Sequence, residues 1–401
     1  MKRRVVITGA GTVNALARDV SGTLAALREG RSGIGPLDLP DLDRLQIRIG
    51  AQVRDWQPEA LFPKAKLPLY DRFTQFALTA GAEAMGQARL HVDEALACRA
   101  GAVLGSAGGG LTTSDAAYRE VYQEGRARVH PFTVPRLMNS AAVSHLSMEH
   151  GLRGPVFPVA SACAGSNHAM GLAFQMIRGG AADVMLCGGA EAMLSFGGLK
   201  AWEGLRVMSA TGCRPFSADR DGMVMGEGAA VFVFEELDHA LARGAEILAE
   251  VAGFGMTADA AEIVLPSAEG AARAMRAALS DAGLQPADIG YINAHGTGTL
   301  ANDRSESAAI REVFGAEPPP VSSTKSMHGH VMGATGAIEL LACLLALREG
   351  VLPPTLGHTA TDPQCLTDVV AHQARRVRPR AVLSNAFAFG GLNAVLALKA
   401  M

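Results

Sequence analysis

The feature that most limits what this chain can fold into is an alternation kept up along its whole length. A short apolar run ends on small residues, and a stretch with apolar residues at helical spacing follows. Around Cys163 the unit is complete: an apolar run from Phe157 to Ala160 reaches Ser161-Ala162-Cys163-Ala164-Gly165. From Ala169 onward Leu172, Ala173, Met176 and Ile177 share one helical face, Gly179-Gly180 ends the helix, and a strand is expected over 182–187. Further strands are predicted at 4–8, 100–104, 229–235, 249–254, 289–293, 321–323, 381–385 and 393–399. Helices are predicted at 21–29, 71–88, 136–150, 238–243, 270–283, 303–314 and 331–348, with the stretch 196–228 left loop-rich. Strands alternating with helices imply an α/β protein of mostly parallel sheets covered on both faces, with ligand chemistry at the carboxyl ends of the strands.

The chain is long enough, at 401 residues and 49% hydrophobic, for two domains or two fused halves. Net charge is −3 and there is no long basic block, which argues against nucleic acid or a membrane surface as the main partner. No apolar run approaches the ~20 residues that span a bilayer. The basic start Met1 to Arg4 precedes an apolar run too short for a signal peptide, so it reads as the approach to the first strand. Six cysteines are scattered without CxxC pairing, which suggests neither a zinc site nor disulfides and fits a reducing, cytoplasmic setting.

Two glycine-rich turns invite a nucleotide reading. Gly9-Ala10-Gly11-Thr12 follows the first strand, but Asn14 stands where the third glycine of GxGxxG belongs, so a tight strand-to-helix turn is the better expectation. Gly105 to Gly110 after the 100–104 strand, and Gly188-Gly189-Ala190-Glu191 after the 182–187 strand, read as strand-end turns that permit close packing. The turn at Cys163 is different. Unpaired N–H groups and the positive end of a helix dipole gather there and favour an anion, so Cys163 is expected to ionise more easily than a free thiol. The alternative is a buried structural cysteine.

Partners for that thiol lie at two later strand ends. Ile292 to Thr299 carries His295 among glycines, and Ser322 to His330 carries Lys325 and His330 ahead of a helix bearing Glu339. A cysteine with two histidines can be a base-activated acyl-transfer site of protease type. It can equally be a condensing site, with the cysteine holding an acyl group and both imidazoles donating to an enolate oxygen.

Four ordered motifs carry a resemblance over essentially the whole chain: Val159-Ala160-Ser161-Ala162-Cys163, Asn293-Ala294-His295-Gly296-Thr297-Gly298-Thr299, Thr324-Lys325-Ser326-Met327-His328-Gly329-His330, and Asn385-Ala386-Phe387-Ala388-Phe389-Gly390-Gly391-Leu392-Asn393. They resemble the type II β-ketoacyl-acyl-carrier-protein synthases, and more the nodulation-type and specialised polyketide-type ketosynthases than the housekeeping enzyme. The resemblance implies a thiolase-like fold, two similar βαβαβ halves in a five-layered α-β-α-β-α core. Residues 1–250 would carry the nucleophile and 251–401 the histidines.

It further implies a 3-oxoacyl-carrier-protein synthase that attaches an acyl chain to Cys163 and condenses it with malonyl carrier protein after decarboxylation. His295 and His330 would stabilise the enolate, the backbone N–H groups of Cys163 and Phe389 the oxyanion. Lys325 tied to Glu339 would be electrostatic, and Thr297 and Thr299 would hold pantetheine. Gly108 and Thr133 stand where the housekeeping enzymes carry bulkier groups and, with Phe387, would form the acyl pocket, widened for long or unusual chains. Ala388 replaces the usual glycine of the gate around Phe389. Neither metal nor other cofactor is implied, since substrates arrive on the phosphopantetheine of acyl carrier protein.

The acidic carrier would meet Lys64, Lys66, Arg126, Arg128 and Arg206. A homodimer, or a heterodimer with a chain-length-factor-like subunit, is expected. A non-catalytic chain-length-factor-like chain would lack Cys163, and a CoA-dependent thiolase would carry a second cysteine near the C-terminal glycine motif, where Phe387 to Gly391 has none.

Overall fold

The computed structural model describes residues 3–366 and 368–401, so Met1 and Lys2 lie outside it. Ten strands build the sheet: β1 Val5–Asn14, β2 Ala100–Gly105, β3 Val156–Val159, β4 Val184–Glu191, β5 Gly228–Glu236, β6 Ala249–Ala258, β7 Ile289–Asn293, β8 Val321–Ser322, β9 Ala381–Ala388 and β10 Leu392–Lys399. They lie in the order β8-β7-β9-β10-β6-β1-β5-β4-β2-β3. Counted from its own first strand, each set of five has the order first, fifth, fourth, second, third, so the second half of the chain repeats the first. The sets join where Val5–Ile7 of β1 runs antiparallel to Ala249–Val251 of β6.

Six helices complete the layers: α1 Arg72–Ala88, α2 Ala141–His150, α3 Gly165–Arg178, α4 Ala268–Ala282, α5 Leu300–Phe314 and α6 Thr335–Glu349. α1 packs on β1, β5 and β4, with α2 beside it on β2 and β3. α4 packs on β6 and β10 and carries α5. α3 and α6 touch strands of both sets, which places them in the middle of an α-β-α-β-α stack. α6 is buried on nearly every face, as a helix with no polar stripe must be. Within it only Arg348 and Glu349, in the last turn, are exposed.

Several expectations need correction. The sheet is mixed: β2 is parallel to β3 and β4, and β7 to β8 and β9, but β4·β5, β5·β1, β9·β10 and β10·β6 are antiparallel. The three-residue connection Phe389–Gly391 shows why, since so short a link can only join antiparallel strands.

Gly9 to Thr12 is not a turn; β1 runs through it with a register shift between Ile7 and Gly9. Glycine is needed there because α1 lies directly on the strand. A Cβ at Gly9 would stand 2.2 Å from the Ala84 carbonyl oxygen, and one at Gly11 1.9 Å from that of Ala80. β4 likewise continues through Gly188-Gly189 to Glu191. The predicted helix over 136–150 is two pieces, Thr133–Leu137 and α2, and the stretch called loop-rich contains a helix, Phe196–Gly204. No helix among the described residues is long and apolar enough to cross a membrane.

Candidate active site

Cys163 stands at the carboxyl end of β3, in a single 3-10 turn, Ala162–Ala164, that feeds α3. Ala162 has φ +46°, and Met332, in the equivalent turn before α6, has φ +44°. Both lie in the left-handed region that costs a residue with a Cβ about 1 kcal/mol or more, so the bend that presents Cys163 is held by its surroundings. Close packing supplies that hold: a Cβ on Gly105 of β2 would meet the Gly165 carbonyl carbon at 2.2 Å.

The β7 strand delivers His295, and α5 fixes it. Glu306, buried on α5, accepts from the backbone N–H of His295 (2.8 Å) and of Gly296 (2.7 Å) and from Asn385 Nδ2 (3.2 Å). His330 follows the short helix Lys325–His328. Its Nδ1 pairs with Thr335 Oγ1 at 2.8 Å, while Nε2 is buried without a partner. The two imidazoles meet edge to face, centroids 5.4 Å apart at 83°. One side-chain atom each of Cys163, His295 and His330 falls within 4.8 Å of the others. Three groups separated by up to 167 positions thus converge at the inner end of one cavity.

That cavity, about 230 Å³, opens past Thr297, Thr299, Trp202, Phe387 and Phe389 to a mouth at Leu205 and Ile263–Leu265. The hydroxyls of Thr297 and Thr299 are 2.9 Å apart. Behind the imidazoles Lys325 Nζ meets Glu339 Oε1 at 2.6 Å with both side chains fully buried.

Burial settles the protonation states. Desolvation first, then the Lys325 charge, hold His295 and His330 well below the ordinary imidazole range, so both are neutral at pH 7. Burial raises Glu339 to about 7 against the pull of Lys325. The thiol corrects the expectation of easy ionisation: burial pushes Cys163 up to about 12, although Lys325 and the nearby backbone N–H groups of Cys163 and Phe389 pull it down. A helix N-terminus lowers a thiol pKa where water still reaches it; here Cys163 is only 7% exposed.

Other proposed residues fall differently. Gly108 and Thr133 do not line the cavity: a Cβ on Gly108 would meet Met193 Cε at 3.1 Å, and Thr133 Oγ1 donates to the His130 carbonyl at 2.7 Å. Lys64, Lys66, Arg126, Arg128 and Arg206 are all exposed. Lys66 is paired with Glu149 (2.9 Å) and Arg126 with Glu124 (3.0 Å), while Arg206 follows the mouth residue Leu205.

Five supports carried little or no signal in the sequence. Glu306 and Asp303 sit on the buried face of α5, and carboxylates three apart on the side that carries Ala309 and Ile310 were a readable signal. Glu191, fully buried, accepts from the backbone N–H of Ala107 (2.6 Å), Gly108 (3.1 Å) and Gly333 (3.1 Å), and burial raises it to about 7. Nothing local announced it. Thr335 and Trp202 were equally silent.

One donor set could hold a metal: Cys163, His295 and His330 form the group of soft, zinc-type ligands that closes among the described residues. Asn293 Oδ1, Ser384 Oγ, Asn385 Oδ1 and Glu339 Oε2 are buried oxygens without hydrogen-bond partners, with Asn293 beside Ser384 in the β7·β9 register.

A five-layered repeat of this kind, with a thiol and two neutral imidazoles at its strand ends, defines a thiolase-like condensing enzyme. The chain belongs to the β-ketoacyl synthase family: the pattern for the N-terminal domain of β-ketoacyl synthase matches residues 2–240 and that for the C-terminal domain residues 248–359. Among curated relatives it is 50% identical to nodulation protein E of Rhizobium sp. (strain N33) over 401 residues, covering 100% of both chains. It is 39% identical to 3-oxoacyl-[acyl-carrier-protein] synthase 2 of Staphylococcus aureus (strain COL) over 406 residues, covering 99% of this chain and 98% of that one. Among solved structures, the ishigamide ketosynthase/chain length factor superposes with a TM-score of 0.96 at 36% identity, covering 100% of each chain.

Proposed function

We propose that the protein is a 3-oxoacyl-[acyl-carrier-protein] synthase of the specialised kind that its nodulation-type relatives represent. The observation that carries the reading is the convergence of Cys163, His295 and His330 within 4.8 Å in one cavity that Phe389 also lines.

Residues 1–250 supply the nucleophile and 251–401 the two imidazoles. Cys163 attacks the thioester of an acyl chain carried on acyl carrier protein. The N–H groups of Cys163 and Phe389 bear the oxyanion, and the departing pantetheine thiol takes the proton that Cys163 gives up. A malonyl thioester then occupies the cavity, with Thr297 and Thr299 beside its pantetheine arm. Its carboxylate leaves as CO₂, and the electron pair remains as an enolate stabilised by His295 and His330 as neutral N–H donors. The enolate carbon forms the new bond to the acyl carbonyl, and Cys163 leaves as a thiolate that is reprotonated from solvent.

Burial and the Lys325 charge keep the imidazoles neutral. The substrates bring their own activation as thioesters, so the cycle runs on protein groups alone. Unusual acyl chains extend along Phe387, the one expected acyl-pocket residue that lines the cavity. The carrier docks over Arg206 and the mouth, with Lys64, Lys66, Arg126 and Arg128 as outlying contacts, and the working unit pairs with a second copy or with a chain-length-factor-like chain.

The test is to incubate the protein with acyl and malonyl carrier proteins and weigh the products. An acyl adduct on Cys163 that disappears in Cys163→Ala, and a loss of malonyl decarboxylation of about 10²–10³ in His295→Ala and in His330→Ala, are expected. Near-normal decarboxylation in both histidine variants overturns the assignment.

A further inference from the structure

The oxyanion donor on Phe389 sits on a segment that little else holds. Gly390 and Gly391 adopt φ +80° and +66°, and a Cβ on Gly390 would find its nearest neighbours only at 3.8 and 3.9 Å. Backbone contacts fix the far side: Gly390 N–H donates to the Ile263 carbonyl (2.7 Å), and Asp259 N–H to the Gly391 carbonyl (2.9 Å). Phe389 itself is positioned by its ring, which stacks on Trp202 with centroids 5.9 Å apart and planes 27° from parallel.

Trp202 is the anchored member of that pair. Its helix, Phe196–Gly204, is capped by Ser195, whose Oγ accepts from Gly198 N–H at 3.2 Å. The neighbouring Glu203 accepts from the backbone N–H of Gln46 (2.6 Å) and Ile47 (2.9 Å) and pairs with Lys200 (2.9 Å). The helix that carries one ring is therefore tied to the 46–47 segment through Glu203, and the other ring rides on a diglycine hinge.

We propose that Trp202 is a positioning residue for acyl transfer: by stacking on Phe389 it holds that residue's N–H in line with the Cys163 sulfur and with the oxyanion that forms there. The inference rests on the role assigned to Phe389 above. It separates the two half-reactions, because the imidazole pair that serves decarboxylation is held by Glu306 and Thr335, neither of which depends on Trp202. Substrate contact alone predicts something else, since Trp202 also lines the cavity and a lost contact raises KM without lowering kcat.

The experiment compares Trp202→Phe, Trp202→Leu and Trp202→Ala with the native chain. Single-turnover acylation of Cys163 and multiple-turnover malonyl decarboxylation are measured on each, with thermal unfolding as a control on folding. Leucine keeps bulk without a ring face, so it serves if the alanine variant unfolds. The expected result is a fall of about two- to tenfold in kcat for acylation in the leucine and alanine variants, the range one aromatic pair commands, larger than any fall in decarboxylation kcat, with the phenylalanine variant near native.

Native acylation kcat in the leucine variant overturns the proposal, as does a rise in KM alone or an equal fall in both half-reactions. If Cys163→Ala, run alongside, still forms the acyl adduct, the proposed function itself fails, and that outcome is distinct from the others.

Discussion

Replacing Lys325 with methionine tests the electrostatic logic of the site most directly. Lys325 Nζ and Glu339 Oε1 are 2.6 Å apart, both side chains are fully buried, and Glu339 Oε2 has no other partner. Removing one member strands the other, which for a buried pair costs about 3–5 kcal/mol, whereas removing both costs far less. The cost should depend on pH. Without Lys325 the Glu339 carboxyl, already raised to about 7 by burial, rises further. A raised folded-state pKa means that the native state binds a proton which the unfolded state has released, so stability is lost as pH climbs from the unfolded value towards the folded one. Lys325→Met should therefore lose about 1.4 kcal/mol per pH unit from the unfolded carboxyl value upward until Glu339 ionises, and its extra cost over the native chain should open above about pH 7, where native Glu339 ionises and the variant's does not. Urea unfolding of the native protein, Lys325→Met, Glu339→Gln and the double variant between pH 6 and 9 measures this. A single Lys325→Met variant within about 1 kcal/mol of native at pH 9, or a double variant no better than the single, refutes the reasoning. Activity carries an independent sign. Lys325 is one of the groups holding His295 and His330 down, so in Lys325→Met the acid limb of the decarboxylation profile should move to higher pH.

Three further outcomes follow from the same geometry. Glu306→Ala leaves the N–H groups of His295 and Gly296 without an acceptor; at about 1–3 kcal/mol for each, decarboxylation should drop at least tenfold while Cys163 acylation persists. Gly11→Ala drives a Cβ to 1.9 Å from the Ala80 carbonyl, a backbone atom that cannot step aside, so a loss of about 3 kcal/mol or more in urea unfolding is expected. His328, buried between Thr324 Oγ1 and the Gly329 carbonyl, is held down to about 3. A depressed folded-state value contributes stability above the unfolded value near 6.5 and loses it as pH falls, so His328→Gln should flatten the acid decline between pH 6 and 4 by about 1.4 kcal/mol per unit.

The alternation of strands and helices was legible because each element carries its own period, and strand ends such as Ile289–Asn293 announce themselves by the glycines beyond. The glycines inside β1 and β4 misled for a physical reason. Glycine marks a turn when the backbone must bend, but at Gly9, Gly11 and Gly188 it marks a helix or a neighbouring strand pressed against the chain, a long-range fact with no local trace. Strand direction was hidden for the same reason, since pairing between β4 and β5 or β9 and β10 depends on how connections return. In the site, the nucleophile, the imidazoles and the Lys325 motif could be read because their chemistry needs particular residue types beside glycine. Glu191, Thr335 and Trp202 act by filling or satisfying what folding brings to them, and any residue of their kind looks ordinary in one dimension.

The thiol shows how far a local rule reaches before tertiary burial overrides it. A cysteine opening a helix beside a lysine suggests a thiolate, yet Cys163 is pushed up to about 12 because desolvation outweighs Lys325 and the two N–H donors together. Its alkylation by iodoacetamide, followed on the Cys163 peptide so that exposed Cys98 does not interfere, should then rise about tenfold per pH unit from pH 7 to 10 without a plateau. Lys325→Met should depress the whole curve, because it removes the strongest charge favouring the thiolate. A plateau reached below about pH 8 would mean instead that the helix end and Lys325 prevail over burial, and the nucleophile would exist before substrate arrives. Without such a plateau, ionisation must be coupled to the arriving thioester, whose departing thiol receives the proton, and the resting enzyme keeps an unreactive sulfur at the bottom of its cavity.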